Sequence, residues 1–423
     1  MTHPGLAAAL PPVTRPASLA CFTTAGVLVG ILLLFGSARL PGQTVRLGAE
    51  AVGVFHASER SPGGTGRSAW QIIHPLLTAR VAWPSGLGLR ATVNLEGLTL
   101  PEGELAMGAW GEGFVDRRHP HAYVHELLVE AATTFECGGL TCRAGGYLGR
   151  GFAPFGSDDP MQRAPLRYPV NHHLAQILER AILGAQFGIG PLTAEAAVFN
   201  GDEPEAPSQW PRIRGRFGDS WSVRATLRPL DGVEVSASTA AVRSPEHRPG
   251  AGADHDKLHL GARLEQALGG GHLTVLGEWA RTSELEAAFL YYSRLGELSW
   301  SHGRFRIHYR GERTDRPEEE RLEPYRTARP HLENTLLGKT RWTLHTVGAE
   351  LAIPPRGALA ASVVLEATRG AIASAAPGSI FSIEHTYGGN RFWSAAVAVR
   401  VGWSATGHDM GRYGIVPARP IRH

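Results

Sequence analysis

Between Ser220 and Val242 the chain reads SWSVRATLRPLDGVEVSASTAAV, and its apolar residues fall at every second position. Trp221, Val223, Ala225 and Leu227 alternate with Ser222, Arg224, Thr226 and Arg228. After a Pro-Leu-Asp-Gly turn, Val233, Val235, Ala237, Thr239 and Ala241 alternate with Glu234, Ser236 and Ser238. A period of two places the two sets on opposite faces of a hairpin, one small and apolar, the other charged and hydroxylic. The same unit recurs almost to the C-terminus. Its length is about ten residues, which is what a tilted strand needs to cross a bilayer. The most regular copy spans residues 87–96, where Leu87, Leu89, Ala91, Val93 and Leu95 face away from Arg90, Thr92, Asn94 and Glu96.

A chain of 423 residues has room for two or three soluble domains or for one large barrel. Residues 25–35, AGVLVGILLLF, form an apolar run preceded by Arg15 and followed by Gly36-Ser37-Ala38. The small residues after the run fit a signal peptide over 1–38, cleaved near Ala38. The alternative is an uncleaved anchor, since the uncharged stretch 17–38 is long enough to span. Cys21 precedes the apolar run and is badly placed for a lipoprotein. Further on, no stretch of about eighteen apolar residues occurs, so a mature chain in a membrane has to cross it with strands that close on themselves. The net charge of +3 and the lack of a lysine-rich tract argue against a nucleic-acid partner.

Strand patterns recur at 45–55, 73–83, 87–96, 123–135, 140–152, 178–189, 192–199, 220–230, 233–242, 255–265, 272–281, 287–300, 304–312, 341–353, 359–368, 379–387 and 392–403. Short Gly/Pro turns alternate with longer polar loops, of which 314–339 is the longest. A short helix is expected in 173–179. The 52 glycines suit a protein of turns and small packed side chains. Short turns at one end and long loops at the other are the habit of an all-β, antiparallel, up-and-down transmembrane barrel, with the short turns periplasmic. Bacterial barrels of one chain have even strand numbers, so the expectation is sixteen strands, with eighteen as the alternative and 287–300 as the least regular member. The barrel would occupy 39–403 and a tail 404–423. Cys137 and Cys142 flank the Gly138-Gly139 turn, and in an oxidising compartment a disulfide would staple it.

If the apolar face meets lipid, aromatics should gather near strand ends, and Trp83, Trp221, Trp279, Trp300, Trp393 and Trp403 do. The other face should then be wet, because a dry core cannot accept so many ionised groups. The candidate pore-lining residues are Arg90, Glu126, Glu130, Arg143, Arg180, Arg224, Arg228, Glu234, Arg263 and Glu278. The basic ladder Arg304, Arg306, His308 and Arg310 joins them, and Arg46, Glu50, Arg80, Glu350, Glu366, Glu384 and Arg400 fall on the same face. Rings of arginine bias a pore toward anions. Both signs are interleaved, however, and pairing of the arginines with neighbouring glutamates is the competing reading.

The chain resembles Gram-negative outer-membrane porins, above all in GYLGRGFAPFGSDDP (146–160) and GPLTAEAAVFNGDEP (190–204). The resemblance implies a bacterial outer-membrane location and passive diffusion of small hydrophilic or anionic solutes. It further implies that the loop 153–173 folds inward, bringing Asp158, Asp159, Arg163 and Arg167 to a constriction. Both a monomer and a homotrimer stay open. The ending departs from the porin pattern: Val397, Val399, Val401 and Trp403 close the alternation, but a tail containing HDMGRYG follows.

No G-x-S-x-G, H-E-x-x-H or G-x-x-x-x-G-K-[ST] motif is present, so no catalytic class is indicated and no cofactor is expected. No acidic or cysteine partner completes a recognisable ligand set with His119, His121, His125, His172 and His173, and no metal site is expected from them. Two other classes remain. One is a barrel hydrolase, which needs a serine and a histidine brought together in space. The other is a non-conducting structural or secreted β-protein.

Overall fold

The computed structural model describes residues 43–60, 66–100, 121–170, 172–204, 207–243, 253–319, 336–375 and 381–404. The leader (1–38) and the tail beyond Ser404 lie outside the described residues, as do His119 and the middle of the 314–339 segment.

Sixteen strands run in sequence: β1 Thr44–Ser58, β2 Arg67–Ala82, β3 Leu87–Asn94, β4 Val124–Cys137, β5 Leu140–Gly151, β6 Arg180–Ile189, β7 Leu192–Phe199 and β8 Ser220–Leu230. The second half comprises β9 Val233–Val242, β10 His255–Leu268, β11 Gly271–Glu284, β12 Phe289–His302, β13 Phe305–Glu319, β14 Leu336–Arg356, β15 Leu359–Ser374 and β16 Arg391–Ser404. Each pairs antiparallel with its neighbours in the chain, and β1 meets β16 from Gly48 opposite Ser404 to Ser58 opposite Ser394. That last ladder closes the sheet, so no edge strand is left with unpaired backbone groups. Both ends of the barrel chain lie at the rim of the short turns.

The alternation sets the faces, and it is inverted relative to a soluble sheet. In β8, Ser220, Ser222, Arg224 and Thr226 are buried, whereas Trp221, Val223, Ala225 and Leu227 are exposed. β7 and β16 repeat the pattern, with Val397, Val399 and Val401 pointing out. An aqueous solvent would select the reverse arrangement; apolar outside and polar inside suits a barrel surrounded by hydrocarbon. Large exposed aromatics sit toward the two ends. Trp70, Trp221 and Trp393 lie on the long-loop side; Phe135, Phe187, Phe305 and Trp403 lie on the short-turn side. Such rings favour the interfacial depth, apolar body toward the tails and polar atom toward the headgroups.

Four expectations about elements change. The sixteenth of the seventeen strand patterns, 379–387, is not a strand in its described residues: Ile383–Tyr387 form a helical turn, here α2, following α1 (Glu96–Thr99) in chain order. Ser382 caps it, its hydroxyl accepting from the His385 N–H, and Gly388 ends it at φ 70°. Glu384 is therefore exposed on a helix, outside the barrel wall. The irregular pattern 287–300 is a full strand, β12, so sixteen is reached by losing the other candidate. Third, β13 and β14 run far into the supposed longest loop, to Glu319 and from Leu336. Arg341 and Asp315 sit directly opposite each other there and pair at 2.7 Å, so charge in this stretch is strand charge. The helix expected over 173–179 is a shorter 3-10 turn, His172–Ala175.

Candidate functional site

The inner wall carries charge in cross-strand pairs. Glu195 on β7 and Arg224 on β8 stand opposite each other, 3.3 Å apart, and Arg224 also reaches Glu234 on β9 at 3.5 Å. Glu234 in turn holds Arg228 at 2.7 Å. Arg90 on β3 contacts Glu126 at 3.8 Å and Glu130 at 2.8 Å on β4. Arg306 pairs with Glu350 at 3.0 Å, and Arg310 with Glu297 at 2.7 Å. His308 is buried between them on β13. Arg143 faces inward and reaches the Gly190 carbonyl at 3.4 Å. Arg180 stands at the top of β6 and bonds Glu203 at 2.5 Å. Arg304 departs from the expected ladder. It lies in the turn before β13 and is exposed, because the strand begins one residue later.

One row of the wall has like charges side by side. Arg46 on β1 is opposite Arg80 on β2, and Arg80 is opposite Arg90 on β3. Glu130 reaches toward Arg80 at 3.6 Å, but its closer contact is to Arg90. Like charges directly opposite on a sheet repel, a cost tolerated where water or a counter-ion can enter.

The loop between β5 and β6, residues 152–179, crosses the interior. It leaves β5 and touches the far wall strand by strand. The Gly156 N–H donates to Ser238 on β9 at 2.9 Å, and Asp158 pairs with Arg263 on β10 at 2.6 Å. Arg163 reaches Glu278 on β11 at 2.9 Å and Glu297 on β12 at 3.2 Å, while its other terminal nitrogen donates to Ser157 at 2.6 Å. Ser157 donates in turn to Glu278. The backbone N–H of Leu166 bonds Glu366 on β15 at 2.9 Å, and that of Val170 bonds Glu312 on β13 at 3.1 Å. Arg310 donates to the Arg167 carbonyl. Burial alone would disfavour charge on Arg163, but Glu278 and Glu297 outweigh it and raise its pKa above the ordinary arginine value.

Apolar side chains of the same loop dock in separate patches of the wall. Leu166 packs with Val52, Ile73 and Val364; Phe155 with Ile182 and Phe199; Val170 with Trp342 and Phe392; Met161 and Tyr168 with Leu76; Leu174 with Ala280 and Tyr291. The interior at the level of this loop is therefore packed, not uniformly wet. At Gly156, with φ 80°, a Cβ would lie 1.6 Å from the Ala175 carbonyl oxygen, so the two limbs of the loop touch there and only glycine fits. Below the loop, toward the short turns, the wall is more open: the Arg80, Arg306 and Arg400 side chains are 20–32% exposed.

A second group of polar residues lies where the loop rejoins the wall. His125 on β4 approaches Glu179, the last residue before β6, with its Nδ1 2.5 Å from Oε1. His121 Nδ1 is 3.7 Å from the same oxygen, and His125 Nε2 is 3.7 Å from Asp159 Oδ2. All four side chains are 4% exposed or less. Burial works against charge on each, yet the mutual contacts dominate: Glu179 raises the His121 pKa, and the two histidines hold Asp159 and Glu179 below the usual carboxylate range. Asp158, Arg163 and Arg167 thus reach the wall around β10 to β13, while Asp159 turns to this other cluster. Glu179 was missed from sequence because it is 54 residues from His125. Cys137 and Cys142 are joined across their turn at the other rim.

No protein-family model and no curated protein sequence matches the chain. Solved structures do align. The outer-membrane protein OmpT of Vibrio cholerae matches at TM-score 0.48 and 10% identity, covering 86% of this chain and 99% of that one. An anion-selective porin from Comamonas acidovorans gives 0.47 and 10%, with the same coverage. OccK2 of Pseudomonas aeruginosa gives 0.37 and 12%, over 86% of this chain and 98% of that one. Likeness at this level leaves solute and activity undecided. The fold rests on the chain's own ladder: a closed barrel of sixteen antiparallel strands, apolar outside, charged inside, and crossed by its third long loop.

Proposed function

We propose that this chain is a bacterial outer-membrane channel for passive diffusion of small hydrophilic solutes, narrowed by the loop 152–179 and biased toward anions. The observation that supports it most is the inverted patterning. Leucine, valine and tryptophan side chains clad the outside, while paired arginines and glutamates line the inside below the loop. A lumen that exposes guanidinium groups takes them at little cost only when water reaches them. The bias toward anions rests on the Arg46–Arg80–Arg90 row, where neighbouring positive charges lie at the short-turn mouth. Asp158, Arg163 and Arg167 are assigned to the constriction on their contacts with the far wall.

A second reading has a specific observation behind it. The loop's apolar residues fill patches all round the interior, as a plug would, and a blocked structural barrel fits that packing. A hydrolase has less support. Ser157, the serine of the inner loop, bonds Glu278 and Arg163 and not an imidazole. Planar-bilayer recording of the purified barrel separates the first two readings. Stepwise ion currents support the channel, and a correctly inserted protein that stays silent refutes it.

A further inference from the structure

We propose that His121, His125 and Glu179 bind a divalent transition metal, with zinc the best fit, and that Asp159 orients the second histidine. The proposal is independent of whether the barrel conducts. One ligand atom from each of the three lies within 4.8 Å of the others, and all three residues are buried. Two imidazoles lean on one carboxylate oxygen, with their rings 5.0 Å apart. Two buried carboxylates, Glu179 and Asp159, lie here against one guanidinium, that of Arg150. A metal ion held by the two imidazoles and Glu179 would supply further positive charge with both rings neutral.

The atoms that lack a hydrogen bond point the same way. Among the described residues, His121 Nδ1, His125 Nε2 and Asp159 Oδ2 make no hydrogen bond. Such buried atoms are costly unless something meets them. The rest of the group is held in place. Glu179 accepts the Ala122 N–H at 2.8 Å through Oε1 and at 3.0 Å through Oε2, and Arg150 stands 3.7 Å from Oε2. Asp159 is fixed through Oδ1, which accepts the Met161 N–H at 2.9 Å.

Two ligands on a tetrahedral ion at about 2.1 Å lie roughly 3.4 Å apart. The 3.7 Å between His121 and Glu179 already suits that spacing, while the 2.5 Å between His125 and Glu179 must open by about 1 Å. On the His125 ring's other nitrogen, Nε2 stands 3.7 Å from Asp159 Oδ2, the carboxylate placed to hold that ring when Nδ1 takes the ion. That is the carboxylate–histidine–metal arrangement, in which the outer carboxylate fixes the tautomer and the ring orientation. Two nitrogens and one oxygen select zinc or a similar borderline ion over calcium or magnesium, which take oxygen ligands. The ligands come from the segment before β4, from β4 itself and from the end of the inner loop, so the ion would clasp that loop to the wall.

The test uses the full barrel in detergent, stripped with a chelator and dialysed against zinc chloride. Wild type should retain about one zinc per chain, and cobalt in its place should give the visible bands of a nitrogen-ligated, low-symmetry site. Glu179→Gln and His121→Ala should weaken binding at least tenfold, while His302→Ala, exposed at the end of β12, should leave it unchanged. Folding of each variant is checked by the heat-modifiable gel mobility of closed barrels. Should the variants fail to fold, the wild-type count and cobalt spectrum decide. Folded wild type that holds no stoichiometric zinc, a cobalt spectrum without those bands, or unchanged affinity in both folded site variants would each overturn the proposal.

Discussion

Arg163 ties the inner loop to the far wall by charge. It faces two carboxylates on adjacent strands, Glu278 and Glu297, and all three are buried or nearly so. Removing one member of a buried charge group leaves the others uncompensated, a loss of about 3–5 kcal/mol. Arg163→Ala should therefore lower the denaturation midpoint in detergent markedly. The double change Arg163→Met with Glu278→Gln should recover part of that loss, because the new pair needs less neutralisation. Equal destabilisation by the single and double variants would mean the charges are individually solvated. Not every such partner was legible in sequence. Alternation names Glu278 as inward-facing, but nothing in a linear pattern says that a loop arginine 115 residues away will reach it. Arg304 shows the converse limit: parity continued one residue past the strand end and named a side chain that sits in a turn.

At the scale of elements, strands were readable wherever inward and outward positions differ in chemistry. β8 differs at every step from Ser220 to Leu227, so its faces follow at once. The ends of β13 and β14 hid because both faces there are polar, Asp315, Arg316 and Glu318 included, and charge density then looks like loop. The 379–387 segment misled for the opposite reason: its alternation is real but a serine cap and a left-handed glycine favour a helical turn. The inner loop's path depends on Gly156. Replacing it by alanine meets both the positive φ and the Ala175 carbonyl, so Gly156→Ala should destabilise by more than about 1 kcal/mol and expose the loop to protease. An unchanged proteolytic pattern would argue against the crossing. The Cys137–Cys142 link closes a turn of sequence separation 5, so its entropic contribution is limited to about 2 kcal/mol. Reduction should leave the barrel folded at room temperature, because β4 is also paired to β3 and β5 to β6. Collapse of gel mobility on reduction would contradict this.

For the whole molecule, closure makes the inside and outside distinct solvents, and that distinction turns wall charge into an electrical property. The Arg46, Arg80 and Arg90 side chains share one face of three consecutive strands near the short-turn rim. In water at 0.15 M salt their field extends about 8 Å, and about 30 Å at 0.01 M. A bias toward anions carried by this row should therefore be strong in dilute salt and fade as salt rises. Under a potassium chloride gradient the reversal potential should favour chloride. Arg46→Glu with Arg80→Glu should move it toward potassium, since Arg90 keeps its own partners Glu126 and Glu130. The same substitutions should alter unit conductance less than shortening the loop 152–179, because in the proposed channel the loop narrows the path while the row only biases what approaches it. A reversal potential indifferent to both arginines would place the selective charge elsewhere on the wall, with the Arg263–Asp158 and Arg163–Glu278 contacts the next groups in the path.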